Sequence, residues 1–583
     1  MASTATIVPP ESFDPILNRK QPAHAPCRTH HPVLAFIASG HSESRCPAGC
    51  RIVQRTLSLT HPEPYCPSLQ AETALSRCTA IRTQLRAANL FADPSEASAA
   101  KSSLDSGVPA VQTETSWRIS PCPLMLSRDQ LAFFTALGPQ LLSFYRALNR
   151  LYQESVKGAL PAWIAQYLDH GKPDALVTYS RMKRLKDALP GVIRPDVIPT
   201  QDGMVITELD SVPGGIGLTA ALSRAYADIG RHSSFVKGRP DHQESGPPTP
   251  HPSPLTPYED EIVGGRDGMV RGFASMLQSA QAQHAGCVAI LVSEEAKDYR
   301  PEMTWLAARL REQGIPAWCV EPRDIRFTEE GLFLKTDSGE QAVGLIYRFF
   351  ELFDLPNIPK AELVQYAVKK TLVAVTPPYK PALEEKSAFA LLHHPILRPY
   401  WKKELGEDCF LHLTTIMPRT WVLDPATLPP TATIPGLSLG ERAVANWADL
   451  ETATQKERHF VIKPSGFSEL AWGSRGVSIG HDLPQSEWAG ALHKALASFR
   501  TTPYILQEFH KGRLFDMEYM DEHGQSMVHM AGRARLSPYY FVTGETVELA
   551  GILATVCPAD KKVIHGMRDA IMAPCAVATD DAQ

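Results

Sequence analysis

The chain has 583 residues, a mass of 64.1 kDa and 44% apolar content, enough for two or three globular domains. A formal net charge of −5 gives no reason to expect nucleic acid or an anionic membrane as a partner. No apolar run approaches a bilayer span, and Val33-Leu-Ala-Phe-Ile-Ala38 is far too short and lacks the flanks of a signal peptide, so the expected setting is soluble and cytoplasmic.

Residues 1–115 are rich in Pro, Ser, Thr, Ala, His and Arg, without helical or strand periodicity, and are expected to be a disordered or non-domain N-terminal segment. A start codon placed too far upstream explains this composition better than an organelle transit peptide, although both would leave it. Six of the 11 cysteines fall in the first 122 residues. Cys46-Pro-Ala-Gly-Cys50, with His31 and His41 nearby, can be drawn as a zinc site, but the spacing is not a standard pair. Cys287, Cys319, Cys409, Cys557 and Cys575 sit among apolar neighbours and read as reduced core residues.

Regular patterning begins near Trp117. Apolar residues at helical spacing run from Leu131 to Leu151, and a second helix is expected over 159–168. At about 190–212 two strands flank the turn signal Thr200-Gln-Asp-Gly203, the first carrying Arg194-Pro-Asp196 and the second Glu208-Leu-Asp210. Strand alternation puts Glu208 and Asp210 on one face, and the hairpin gathers three acids and one arginine at one point. Carboxylates so placed repel one another unless a cation intervenes, and hard oxygen ligands on a rigid strand suit Mg²⁺. Taken alone, the E-x-D pattern reads more readily as a solvated strand end before the turn Ser211-Val-Pro-Gly-Gly215.

A helix is expected over 218–229, then a Pro-rich mobile loop or lid at 237–257, then a helix over 262–282. Residues 284–375 read as an open α/β domain. Its elements are a strand at 287–292, a helix at 303–313, a strand at 317–320, a hairpin around Glu330-Gly331 and a strand at 343–347. The last strand ends in Arg348, where ligands of open α/β sheets bind; Arg348 is a substrate-anchoring candidate, or else an ion-pair partner of Glu351.

From about 376 mixed α and β segments return. Lys386 lies in a helix-patterned stretch, Glu384-Glu-Lys-Ser-Ala-Phe-Ala-Leu-Leu392. The strand Phe460-Val-Ile-Lys463 runs into a small-residue loop, Ser465 to Gly476, whose backbone N–H groups can meet phosphate oxygens while Lys463 and Arg475 supply charge. Pro503-Tyr-Ile-Leu-Gln507-Glu508-Phe509 is a buried strand whose end can face an adenine edge. A later strand carries Arg533 and Arg535 on one face. No Ser-His or Cys-His nucleophile is evident, and the adjacent His393 and His394 diverge on a helix.

In this order the motifs resemble the ATP-grasp ligases, specifically the circularly permuted branch that holds glutathionylspermidine synthase and eukaryotic-type glutathione synthetase. Arg194-Pro-Asp196 and Glu208-Leu-Asp210 are similar to that family's R-x-D and E-x-N strands, Lys386 and Lys463 to its two nucleotide lysines, and Tyr504-Ile-Leu-Gln507-Glu508 to its Y-I-x-Q-E hinge. The resemblance covers roughly residues 118–570. Asp210 stands where the family has Asn, and the Lys463 loop is longer than the family's, with Glu469 and Arg475 only approximate counterparts of its acid and arginine.

The resemblance implies a permuted ATP-grasp fold of mixed α/β and α+β class. Residues 116–283 would supply helices and the metal hairpin, 284–375 an open α/β substrate domain, and 376–583 the nucleotide-binding lobe. It implies ATP and Mg²⁺ as cofactors. Metal would sit at Asp196, Glu208 and Asp210. ATP would lie against Lys386, Lys463, Gly473, Ser474, Arg475, Gly476, Gln507, Glu508 and Phe509, with Arg194 and Arg535 catalytic and Ser211 and Arg348 on the substrate. The implied reaction joins a small-molecule or peptide carboxylate to an amine through an acyl phosphate and releases ADP. A small-molecule kinase and an inactive nucleotide-binding scaffold remain alternatives. The residues specify neither the acid nor the amine.

Overall fold

The computed structural model describes residues 70–91, 117–232, 262–282, 284–337, 339–429, 431–564 and 569–577. The Cys46/Cys50 zinc motif and the Pro-rich stretch 237–257 lie outside them. All described residues fall within one compact unit, 59–583.

One segment departs from the sequence expectation. Residues 71–87, inside the stretch expected to lack structure, form the helix Ala71–Ala87. It buries Ala74, Cys78, Ile81 and Leu85, a stripe at helical spacing diluted by alanines and arginines, and packs on the helix Ile216–His232. Ile81 and Leu85 share a core with Trp117 and Ile119.

The largest sheet has seven strands. Its order is Leu124–Leu126, Ile571–Val577, Thr546–Pro558, Met527–Thr543, Val192–Pro199, Met204–Asp210, with Leu514–Met520 pairing the first half of Met527–Thr543. All neighbours are antiparallel except the first pair. The strands after residue 513 thus join the sheet of the acidic hairpin rather than the lobe of Lys463, so segment 376–583 serves two sheets. One face is covered by the helix Arg128–Val156, started by a Ser127/Gln130 capping box and burying Phe134, Leu137, Leu141, Phe144 and Leu148.

The strands expected between 284 and 375 are present. The strands Ala317–Val320, Cys287–Val292, Gly339–Phe349 and Ala374–Thr376 are parallel, and Gly331–Thr336 and Ile325–Thr328 extend the sheet antiparallel. Every residue of Cys287–Val292 is buried, which is why that strand reads as an unbroken apolar run.

A third, antiparallel sheet has the order Thr420–Val422, Tyr504–Glu508, Phe460–Pro464, Ser478–Ile479. Its core, with Ile462, Leu506, Leu450 and Ile434, takes Trp488 and Leu492 from the helix Gln485–Ala497. Among the described residues no helix is long and apolar enough to cross a membrane.

Candidate functional site

The hairpin forms as expected. Thr200 N donates to Gly203 O at 2.7 Å, closing the turn, and the register sets Arg194 opposite Asp210 and Asp196 opposite Glu208. Each of the three acids is paired with a cation. Arg194 Nη2 lies 3.2 Å from Asp196 Oδ1 and 3.1 Å from Asp210 Oδ2. Arg535 Nη1 lies 3.1 Å from Asp196 Oδ2, and Ser537 Oγ donates to Asp196 Oδ1 at 3.2 Å. Lys386 Nζ holds Glu208 Oε1 at 2.7 Å.

These contacts set the charges. Burial opposes the ionised form of Asp196, but Arg194 and Arg535 overcome it and hold its carboxyl below the usual value. Asp210 goes the other way: burial, aided by Glu208 and Asp196, outweighs Arg194 and the Val212 N–H and pushes it up. Burial disfavours the Lys386 ammonium, yet Glu208 raises its pKa above normal. Lys463 is pushed down to about 8, by burial and by Lys386, with Glu208 only partly compensating. Among the described residues its Nζ donates to Thr207 O at 2.9 Å and pairs with no carboxylate.

The two lysines come from distant segments that meet at Ser465. Ser465 O accepts from Lys386 N at 2.8 Å, Ser465 Oγ accepts from Ser387 N at 2.9 Å, and Ser465 Oγ donates to Glu385. Glu385 in turn pairs with Lys172. Gly466 passes so close that a Cβ there would sit 2.7 Å from Glu384 O.

A cavity of about 60 Å³ opens at this junction, lined by Glu208, Asp210, Ser211, Glu351, Glu384, Lys386, Gly466, Phe467, Ala471 and Trp472, among others. Ser211, expected to touch substrate, is 3% exposed, and its Oγ has no hydrogen-bond partner. A smaller cavity of about 20 Å³ shares Glu351, Phe353 and Trp472 and adds Tyr299 and Glu295. A cavity of about 720 Å³ between the helices Arg128–Val156 and Gly268–Gln281 contains none of the candidate residues.

Other candidates are placed differently from expectation. Arg348 is fully buried and pairs with Glu384, not Glu351, while donating to Phe350 O at 2.5 Å and Pro377 O at 3.3 Å. It lies behind the cavity wall, and Glu384 faces the cavity. Gly473, Ser474, Arg475 and Gly476 do not line the cavity; the earlier half of the loop does. Arg475 reaches Glu295 of the α/β domain at 3.0 Å and stacks on Trp472, whose ring lies 6.1 Å from Tyr299. Gln507 Nε2 donates to Thr420 Oγ1 at 3.2 Å. The Glu508 and Phe509 N–H groups are taken by Arg419 O and His459 O, so neither is free for an adenine edge. His393 bonds Met417 O and His394 packs on Trp163, both structural.

The glycine turn after Asp210 is filled from within. Glu302, from the helix Arg300–Glu312, accepts from Gly215 N at 2.7 Å and Leu218 N at 2.8 Å, capping the helix Ile216–His232. Burial lifts its carboxyl to about 7 despite those bonds. Gly215 has φ +89°, and a Cβ there would lie 2.5 Å from Tyr539 Oη.

Sequence reading gave no site role to Glu384, Glu385 or Lys172, took Glu351 only as an ion-pair partner for Arg348, and took Ser465 and Trp472 only as part of the phosphate loop.

The donor chemistry fits Mg²⁺ with phosphate oxygens completing its shell. Among the described residues no three His, Cys, Asp or Glu side chains converge on one point. Glu208 and Asp210 line the cavity, whereas both Asp196 oxygens are engaged. The fit to a polyanion rests on Lys463, buried and in no direct ion pair among the described residues, and on the buried Nε atoms of Arg194 and Arg535, which lack partners.

No protein-family model and no curated protein sequence matches the chain. Among solved structures it is similar to a glutathione synthetase-like effector from Globodera pallida in its apo form. The TM-score is 0.50 at 10% identity, over 88% of this chain and 100% of that one. Weaker similarities are to a putative gamma-glutamylcysteine synthetase from Methylobacillus flagellatus (TM-score 0.32, 11% identity, 73% and 85% covered) and to D-alanyl-alanine synthetase A from Vibrio cholerae (0.21, 10%, 51% and 89%). The first shows a shared fold and nothing finer; the other two are too slight to add to it.

Proposed function

We propose that the chain is an ATP-dependent carboxylate–amine ligase that forms an amide through an acyl phosphate and releases ADP and phosphate. The observation that carries this reading is the meeting of four cations, Arg194, Lys386, Lys463 and Arg535, around a hairpin whose Glu208 and Asp210 line one cavity. A triphosphate needs the cations, and its metal needs the acids.

In this reading Lys386 and Lys463 bind the phosphates, and Glu208 and Asp210 hold Mg²⁺. Asp196 joins the metal shell only by giving up a bond to Arg194, Arg535 or Ser537. Mg²⁺ held there would neutralise phosphate charge. Arg194, fixed by two carboxylates, stabilises the anionic charge of the acyl phosphate and of the oxyanion formed on amine attack. Ser211 hydrogen-bonds the substrate, and Arg348 acts through Glu384 on the cavity wall. Gln507, Glu508 and Phe509 border the adenine by side chains and carbonyls. Gly473 to Gly476 hold the loop on the α/β domain.

The fold shared with a glutathione synthetase-like effector and the resemblance of the motifs support a peptide-like acid and a small amine as substrates, glutathionylspermidine synthase-like chemistry being the narrower form, in the cytoplasm. The occupied N–H groups of Glu508 and Phe509 and the outward Arg475 favour a second reading, a scaffold that binds nucleotide without turnover. Amine-dependent ADP release over a panel of peptides, amino acids and polyamines, with mass detection of the amide, separates the two. ADP release without amine dependence would mark a kinase, and absence of ATP binding would overturn the reading.

A further inference from the structure

We propose that Glu351 is the base that takes the proton from the attacking amine; this rests on the ligase reading above. Glu351 follows the strand Gly339–Phe349 at the carboxyl end of the parallel sheet, where open α/β domains bind ligands. It lines both the cavity of Glu208, Asp210, Ser211 and Lys386 and the smaller one beside Trp472 and Tyr299.

Four carboxylates line the first cavity, and three are engaged. Glu208 is held by Lys386, Asp210 by Arg194 and the Val212 N–H, and Glu384 by Arg348. Among the described residues the Glu351 side chain makes neither a hydrogen bond nor a direct ion pair. Ser211 Oγ, buried on the same cavity, has no partner. Buried polar groups are normally satisfied, so this orphan hydroxyl beside the half-buried, unpaired Glu351 carboxylate marks a place for a ligand. A nitrogen that donates to both fits them, and the surrounding Phe353, Phe467 and Trp472 suit a group that arrives as an ammonium.

The charged groups around Glu351 set its strength. Burial, Glu384 and Asp210 raise its carboxyl to about 8, against Arg348 and Lys386. That lies between an ordinary carboxyl and an alkylammonium, and proton transfer is most efficient to a base so matched. The ionised carboxylate accepts one proton from the ammonium, leaving a neutral amine. Its lone pair forms the C–N bond as the carbonyl π pair moves to oxygen. The tetrahedral adduct then expels phosphate by breaking the C–O bond, and the second nitrogen proton leaves with that phosphate. Glu351 afterwards returns its proton to water.

The test gives wild type and Glu351→Gln ATP, Mg²⁺ and glutathione or γ-glutamylcysteine, with either hydroxylamine or spermidine as nucleophile. Hydroxylamine is already uncharged at neutral pH and needs no base. Glu351→Gln is expected to retain most hydroxamate formation while amide formation falls about a hundredfold or more. Equal loss with both nucleophiles, or loss with neither, overturns the proposal. Should Glu351→Gln not fold, Glu351→Asp must show the same selective loss, and equal loss there overturns it too. A wild type that makes neither product would instead show that the ligase reading has failed, and the base would fall with it.

Discussion

Lys172 and Glu385 meet at 2.5 Å, Nζ to Oε1, with their side chains 0% and 1% exposed. Removing one member of a buried pair strands the other charge at about 3–5 kcal/mol. Lys172→Met should therefore lower stability by that order in denaturant titration and, because Glu385 abuts Lys386, weaken ATP binding. Pairing it with Glu385→Gln should restore much of the stability but not the affinity. A single variant as stable as wild type would rule this out.

Lys463 should govern nucleotide affinity. A charge-assisted bond is worth about 1.5–3 kcal/mol, so Lys463→Ala should weaken ATP binding about tenfold or more by calorimetry. The pH dependence has a definite sign. With its pKa lowered to about 8 in the folded protein, Lys463 is neutral there from about pH 8 upward, while the unfolded chain keeps the proton to the ordinary lysine range. The stability penalty is thus full below pH 8 and relieved as pH rises through that window. ATP binding above pH 8 should take up a proton, seen as a buffer-dependent heat, and Lys463→Met should abolish that dependence.

The hairpin acids are expected to differ. Glu208→Gln should abolish turnover while the fold persists. Asp210→Asn should preserve activity with an altered Mg²⁺ requirement. Because the folded Asp210 carboxyl is raised, ionising it costs stability above the normal carboxyl range, and the Asn variant should melt no lower than wild type near neutral pH without ligand. A dead Asp210→Asn would require a different role for that side chain.

Much of this was legible from sequence, and the rest was hidden for specific reasons. The hairpin and the strand Cys287–Val292 announce themselves through period and turn chemistry, which are local. Arg475 was misplaced because its direction is set by Glu295 and Tyr299, more than 170 residues away and invisible to spacing. The same holds for Glu351 and Lys172, whose surroundings exist only once three sheets have met. The 508 and 509 N–H groups looked available because a strand end does not reveal which neighbours it acquires.

The helix Ala71–Ala87 supplies a further test. A chain beginning at residue 116 should melt well below one beginning at residue 70, since Ile81 and Leu85 are each worth about 1.5–3 kcal/mol when fully buried. Equal melting temperatures would show that the helix contributes nothing.

Ser465 fastens the turn of Lys386, which is rooted in the main core through Phe389 and Leu392, to the strand of Lys463, which belongs to the small lobe. The spacing of the two lysines is thereby fixed through backbone and hydroxyl bonds at a single serine rather than through either hydrophobic core, so a substitution at Ser465 would disturb both at once.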